Sequence, residues 1–115
     1  MDDEAKALFV FTDDILHSFK KWPEMTAVDG TYKLNNIRFT LYLFLCKDSL
    51  GKGVVVGFGL VACEDEPTLE WLFNTFKEVH GEACELIKCF MCDKHMLQRK
   101  IIKSVFQNVP VYICR

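Results

Sequence analysis

The sequence lacks a long hydrophobic run, since no apolar stretch approaches the roughly 20 residues that a membrane-spanning helix requires. Its first residues, 1–4, are acidic apart from the methionine, whereas a secretory signal peptide begins with a basic segment. It also lacks internal repeats and low-complexity segments. These absences predict an intracellular chain without a membrane segment, and in that compartment its six cysteines should be reduced thiols.

An excess of charge of either sign is missing as well. The 115 residues carry a formal net charge of −2, which argues against indiscriminate nucleic-acid binding but is compatible with a local basic patch. Half of the residues are apolar, including ten Phe and two Trp, so the chain can bury a core rather than remain disordered. A chain of this length predicts one domain spanning residues 1–115.

Acidic residues are absent from the last part of the chain, residues 94–115. This part contains a predicted helix on which Arg99, Lys100 and Lys103 lie at positions i, i+1 and i+4, opposite an apolar stripe. Such a basic face could follow a phosphate backbone and bind DNA. It could equally be an ordinary solvated helix face.

Two aspartates each end an apolar run. Asp29 follows residues 25–28, and Asp93 follows residues 86–92. A carboxylate at the end of a buried strand is costly unless it is solvated, paired or bound to a metal, and ligands bind at strand carboxyl ends in α/β sheets. If the two strands are parallel neighbours, the pair could hold a divalent cation. The alternatives are that Asp29 caps a turn with Gly30 and that Asp93 is a helix N-cap.

The histidines and cysteines give a weaker metal signal. Cys89, Cys92 and His95 are spaced three residues apart, but residues three apart on a strand point to opposite faces and cannot grip one ion. We therefore expect core thiols and no zinc in this segment. His17 and His80 have no partner at ligand spacing, and we predict both at the surface.

The order of elements predicts an α/β fold. We predict strands over 7–11, 25–32, 39–46, 54–62, 86–93 and 109–114, and helices over 12–22, 64–81 and 96–106. A three-strand meander followed by alternating helix and strand implies a mixed sheet flanked by helices. The nearly continuous apolar run 39–46 predicts a strand covered on both faces. Gly57 and Gly59 predict a bulge or a close packing contact.

Several motifs in this order resemble a known family. They are Asp29-Gly30-Thr31-Tyr32-Lys33, then Phe39-Thr40-Leu41-Tyr42-Leu43, Glu64-Asp65-Glu66-Pro67-Thr68-Leu69-Glu70-Trp71, Cys92-Asp93-Lys94 and Val109-Pro110-Val111-Tyr112-Ile113-Cys114. The chain resembles the RNase H-like domain of Mutator-like (MULE) transposases, and in particular the transposase-derived SWIM zinc-finger proteins. The resemblance extends over nearly the whole chain from about residue 7.

The resemblance implies an RNase H-like fold with a three-carboxylate site that binds Mg²⁺ or Mn²⁺. Asp29 matches the first acid of the family and Asp93 the second. The third, a glutamate on a later helix, would lie beyond Arg115, so we expect the C-terminal part of the domain to be missing. Where the family often has a further acid, two residues after the second aspartate, this chain has His95.

The function implied is that of the RNase H-like core of a transposase-derived nuclear protein, whose ancestral chemistry is metal-dependent DNA cleavage and strand transfer. The resemblance leaves enzymatic activity undecided, and we expect this chain to be inactive by itself. The alternative is a domesticated, non-catalytic module that binds DNA or protein. Expected partners are therefore DNA, or proteins bound through the longer parent chain, and not a membrane.

Overall fold

The computed structural model describes residues 7–33, 39–92 and 96–113. In chain order the elements are β1 (Ala7–Val10), α1 (Asp13–Lys21), β2 (Met25–Lys33), β3 (Thr40–Lys47), β4 (Gly53–Val61), α2 (Glu66–His80), a 3₁₀ helix (Gly81–Leu86), β5 (Cys89–Cys92), α3 (Met96–Val105) and β6 (Val111–Ile113). This is the predicted order. None of the helices in these three ranges is long and apolar enough to cross a membrane.

The strands form one mixed, six-stranded sheet in the order β1-β4-β3-β2-β5-β6. Strands β2, β3 and β4 make the predicted antiparallel meander, and β1 pairs with β4 at one edge. Strand β5 pairs in parallel with β2, and β6 pairs in parallel with β5. The mixed sheet is therefore confirmed, and so is the prediction that the strand of Asp29 lies beside the strand that precedes Asp93.

The helix ends follow local signals in the sequence. Thr12 is the N-cap of α1, and its Oγ1 accepts a hydrogen bond from the Ile15 amide over 3.2 Å. Asp65 caps α2 in the same way, accepting from the Thr68 amide over 3.0 Å. Gly81 closes α2 with φ +59°, a left-handed conformation that other residues rarely adopt. Side-chain N-caps such as Thr12 and Asp65 stabilise a helix end by about 1 kcal/mol.

The core is built from aromatic rings between one face of the sheet and the helices. Phe44 of β3 stacks on Phe76 of α2, with ring centroids 4.4 Å apart. Phe19 of α1 meets Phe76 edge-on at 5.4 Å. Phe90 of β5 lies 5.0 Å from Phe106, just after α3. Because all these rings belong to one cluster, α1, α2 and α3 pack on the same face, which we call the helix face.

The other face, here called the open face, is less covered than the sequence predicts. Along β3 buried residues alternate with half-buried ones; the half-buried residues are Leu41, Leu43 and Leu45. In the other strands this apolar surface continues through Leu8 and Val10 of β1, Met25 of β2 and Tyr112 of β6, which are 41–57 % exposed. None of the helices in the described ranges packs on this face, so within these ranges the expected cover on both faces of β3 is not seen.

Both predictions made for the β4 glycines are confirmed. The β3–β4 ladder shifts register between Phe44 and Leu45, which leaves Val56 of β4 as the extra residue of a bulge. A Cβ built on Gly59 would lie 2.6 Å from Leu72 Cδ1, closer than packed atoms approach. Gly59 therefore allows α2 to approach the sheet.

The prediction that His80 lies at the surface is wrong. His80 extends the apolar stripe of α2 by one more turn and is only 6 % exposed. Its ring lies 4.1 Å from that of Phe19 and 4.6 Å from that of Phe76. Nε2 lies 2.7 Å from the Val56 carbonyl oxygen and donates a hydrogen bond to it. Burial lowers the pKa of His80 below its ordinary value of 6.5. His17 is exposed, as predicted.

We predict that His80 makes the fold acid-sensitive. Because the folded-state pKa of His80 is lowered, the unfolded chain binds a proton below about pH 6.5 that the folded chain excludes. The stabilisation is therefore complete above that pH and is lost as the pH falls, with a slope of up to about 1.4 kcal/mol per pH unit. Urea denaturation between pH 5 and 8 should show a shallower dependence in His80→Gln. The matched control, His17→Gln, should keep the wild-type slope, and parallel curves for all three chains would contradict the prediction.

Candidate functional site

The predicted cation site lies where the parallel β2–β5 ladder ends. The register pairs Met25 with Cys89 and Ala27 with Met91, so the two strands run toward the same end of the sheet. Asp29 comes two residues after Ala27 and is half-buried. Asp93 follows the last residue of β5 in the sequence but lies outside the described residues. The structure therefore describes one of the two predicted ligands, and the strand that precedes the other in the sequence.

Asp29 belongs to the open face of the sheet. It pairs directly with Leu43 of β3, and directly paired residues of antiparallel strands project to the same side. Leu43 is half-buried on the open face. The Asp29 carboxylate is therefore partly removed from water beside leucine side chains, where charge–charge interactions are stronger than in bulk water.

A β-bulge follows Asp29 directly. The β2–β3 register shifts between Asp29 and Tyr32, and a Cβ at Gly30 would collide with the ring of Tyr42. Only glycine permits this approach of ring to backbone. Bulges change the direction of a strand and are common beside functional sites because they re-aim the neighbouring side chains.

Tyr42 itself is fully buried and carries a polar network on the helix face. Its hydroxyl donates to Glu64 Oε2 over 3.1 Å and accepts from Gln98 Nε2 over 3.3 Å. Burial, and then the neighbouring Glu64 carboxylate, raise the pKa of Tyr42 well above its usual value. The phenol therefore stays protonated and remains a donor.

Sequence reasoning missed the role of Glu64. The acids at 64–66 were predicted only as a helix start, and Asp65 and Glu66 do form the N-cap and first residue of α2. Glu64 instead turns to the Tyr42 hydroxyl. No local pattern signals this contact, because the two residues are separated by 22 positions. Glu64 lies on the helix face, opposite the face to which Asp29 belongs.

The donor chemistry at Asp29 fits a hard cation. Carboxylate oxygen is the ligand that Mg²⁺ and Mn²⁺ prefer, whereas zinc in structural sites prefers Cys and His. Within the described ranges, no three His, Cys, Asp or Glu residues converge on one point. A cation here would thus depend on Asp29 together with Asp93, and such a pair could hold one ion.

The basic side chains of α3 differ in availability. Lys103 is exposed. Lys100 is exposed too but forms an ion pair with Glu66, with Nζ and Oε1 3.3 Å apart. Arg99 is half-buried, and its Nε is buried with no hydrogen-bond partner among the residues that the structure describes. The opposite side of the helix, which includes Ile101, is buried, so the predicted division into a basic and an apolar face is present.

The cysteines of β5 lie as the strand argument requires. Cys89 is half-buried and Cys92 is buried in an alternating pattern, so they project to opposite faces. None of the five cysteines in the described ranges, which include both of these, forms a disulfide. His95 lies outside those ranges.

A broad groove of about 1100 Å³ lies elsewhere, between α2, the 3₁₀ helix and the α3–β6 loop. Its lining includes Glu70, Lys77, Glu78 and Glu82, and the Lys77 ammonium is bonded to the Val105 carbonyl oxygen over 3.1 Å. None of the predicted site residues that the structure describes, Asp29, Arg99, Lys100 and Lys103, lines this groove. It is therefore separate from the Asp29 end of the sheet.

A family model for the RNaseH-like domain of zinc finger SWIM domain-containing protein 1/3 matches residues 1–112. The chain belongs to this family. Neither a curated protein nor a solved structure matches it. The family establishes the RNase H-like fold that the mixed sheet and helices suggest, and it confirms the resemblance to SWIM zinc-finger proteins drawn from the motifs.

We predict that this SWIM-family domain does not bind zinc stoichiometrically. Opposite projection of Cys89 and Cys92 prevents them from gripping one ion together. Metal analysis of the purified protein should find far less than one zinc per chain. One zinc per chain that disappears in Cys89→Ser and in Cys92→Ser, but persists in the exposed-site control Cys63→Ser, would show the prediction to be wrong.

Proposed function

We propose that this RNase H-like domain derives from a Mutator-like transposase and retains a two-aspartate site for Mg²⁺ or Mn²⁺, formed by Asp29 and Asp93. The ancestral reaction is metal-dependent DNA cleavage and strand transfer. The observation that supports this proposal is the parallel pairing of β2 with β5, which directs the ends of the two strands to one end of the sheet. Catalytic turnover by this chain alone is not part of the proposal.

In such a site the residues of the chain have distinct tasks. Asp29 supplies carboxylate oxygens from a partly dehydrated position beside Leu43, and the bulge at Gly30 sets the direction of the strand at that point. When bound, the cation supplies a nucleophile activated at neutral pH and stabilises the leaving oxygen. Full activity in two-ion sites requires further ligands, and residues 94–115 contain no acid.

Helix α3 supplies a candidate surface for the phosphate backbone of DNA, which would make this a nuclear protein. Lys103 is exposed, and the Lys100–Glu66 pair is exposed on both sides. Exposed pairs contribute only about 0–1 kcal/mol, so a phosphate could displace Glu66 at small cost.

The alternative function is a non-catalytic module that binds DNA or protein. Two observations favour it. His95 stands where the family often has an acid. The open face also presents apolar side chains from several strands, and surfaces of this kind mark sites of protein association.

We predict that the 115-residue chain binds Mn²⁺ weakly and does not nick DNA. A spectroscopic Mn²⁺ titration should show one site, which Asp29→Asn or Asp93→Asn abolishes and the exposed control Asp14→Asn preserves. Supercoiled plasmid with Mg²⁺ or Mn²⁺ should remain uncut, because losing one positioned metal costs about a thousandfold or more in rate.

Two outcomes would contradict this prediction in different ways. Mn²⁺ binding that survives in Asp29→Asn would remove the site. Nicking by the wild-type chain that disappears in the double aspartate variant would show that two carboxylates suffice for catalysis. If the chain binds no Mn²⁺ but binds DNA or a protein, the result would support the alternative function, a non-catalytic module.

We also predict weak DNA binding that is insensitive to sequence and steeply dependent on salt. Each phosphate contact contributes about 0.9 to the slope of log K against log salt, so changing Arg99, Lys100 and Lys103 to Gln should reduce the slope by about 2–3. The matched control changes the exposed Lys20, Lys47 and Lys52 to Gln. Equal slopes for both triple variants would mean that the α3 face is an ordinary solvated surface that does not contact DNA.

A further inference from the structure

The hydroxyl of Tyr42 lies where distant segments of the chain meet. It donates a hydrogen bond to Glu64, 22 positions away, and accepts one from Gln98, 56 positions away. The ring beneath it lies against Gly30. Tyr42 is completely buried and Gln98 is 3 % exposed, so this polar junction is inside the protein and its geometry is held by packing on all sides.

Two of these contacts lead toward the proposed cation site, and the third leads to the start of α2. Gly30 follows Asp29 within the bulge of β2. Gln98 is the third residue of α3, the helix that begins three positions after Asp93. Glu64 directly precedes Asp65, the N-cap of α2. One phenol thus connects the strand of the first aspartate with the helix that follows the second.

The hydroxyl is the part of Tyr42 that makes this connection. The ring alone could fill the space beside Gly30, but only the oxygen joins the loop before α2 to the first turn of α3. A raised pKa keeps the hydroxyl protonated, so the donation to Glu64 persists through the neutral range. A buried hydroxyl that donates to one partner and accepts from another favours one relative position of the two, because a shift of either would leave the hydroxyl without that hydrogen bond.

We propose that Tyr42 is a positioning residue for Asp29: its hydroxyl, held by Glu64 and Gln98, fixes the Gly30 bulge, and with it the strand position of Asp29, relative to the start of α3. The inference rests on the proposed function, which assigns a cation to Asp29 and Asp93. Tyr42 belongs to the helix face and does not itself touch the cation.

The first test is Tyr42→Phe, which removes one oxygen and keeps the ring. Mn²⁺ should bind about three- to tenfold more weakly, the effect of losing one net hydrogen bond, with the circular dichroism of the folded chain unchanged. The control Tyr112→Phe alters an exposed tyrosine of β6 and should leave the affinity unchanged. An unchanged affinity in Tyr42→Phe, in a chain whose binding requires Asp29, overturns the proposal.

Variants of Glu64 distinguish positioning from a direct charge effect. Glu64→Gln keeps an acceptor for the Tyr42 hydroxyl and should bind Mn²⁺ almost as well as the wild type. Glu64→Ala should weaken binding as Tyr42→Phe does, and combining the two should add little, since both break the same bond. If Gln is as damaging as Ala, the carboxylate charge is what matters and the positioning role is wrong.

Hydrogen exchange of the metal-free chain separates this proposal from the cation site itself. Tyr42→Phe should speed amide exchange over residues 27–30 and 99–102 together and leave α1 unchanged. If Asp29→Asn binds Mn²⁺ as tightly as the wild type does, the proposed cation site is wrong. The exchange pattern then tests the positioning role by itself. Exchange that is unchanged, or faster by the same factor throughout the chain, overturns it.

Discussion

The parallel pairing of β2 with β5 is the constraint on which the rest of the structure depends. It joins the antiparallel part of the sheet, β1 to β4, to the alternating part that contains β5, α3 and β6. Parallel neighbours cannot be connected by a tight turn, and here the meander and α2 lie between them in the sequence. Because β2 and β5 are parallel, Asp29 and Cys92, the residue before Asp93, lie toward the same end of the sheet. The same pairing therefore underlies both the fold and the candidate site.

Packing on the helix face makes that pairing stable. Phe76 of α2 contacts the rings of Phe44, Phe19 and Phe106, so one side chain connects β3, α1 and the end of α3. A fully buried phenylalanine contributes about 2–3 kcal/mol through loss of apolar surface to water. Gly59 lets α2 lie close enough to make these contacts. The open face contributes less, because its leucines are only half-buried.

Features set by neighbouring residues could be predicted from the sequence. The cap at Thr12, the stop at Gly81 and the bulge near Gly57 depend on chemistry within a few positions, and hydrophobic periodicity determined the order of elements. The burial of His80 could not be predicted in this way, because its partner Val56 lies 24 positions away. The hydrogen bond from Gln98 to Tyr42 joins residues that are 56 positions apart. The open face was missed because a continuous apolar run indicates burial without showing how many layers cover it.

The same limits apply to the candidate site. The motif Asp29-Gly30 pointed to a turn or a metal ligand, and pairing with Leu43 shows on which face Asp29 lies, but no pattern showed why glycine must follow. The reason is the ring of Tyr42, which occupies the space of a side chain at that position. Asp29 and Gly30 are therefore subject to different constraints. Gly30 is required by packing on the helix face, whereas packing alone does not require a carboxylate at Asp29, beside Leu43. Because β2 separates the two, an aspartate can be changed on the open face without altering the core behind it, and a domain of this family can keep its fold whether or not it keeps a cation.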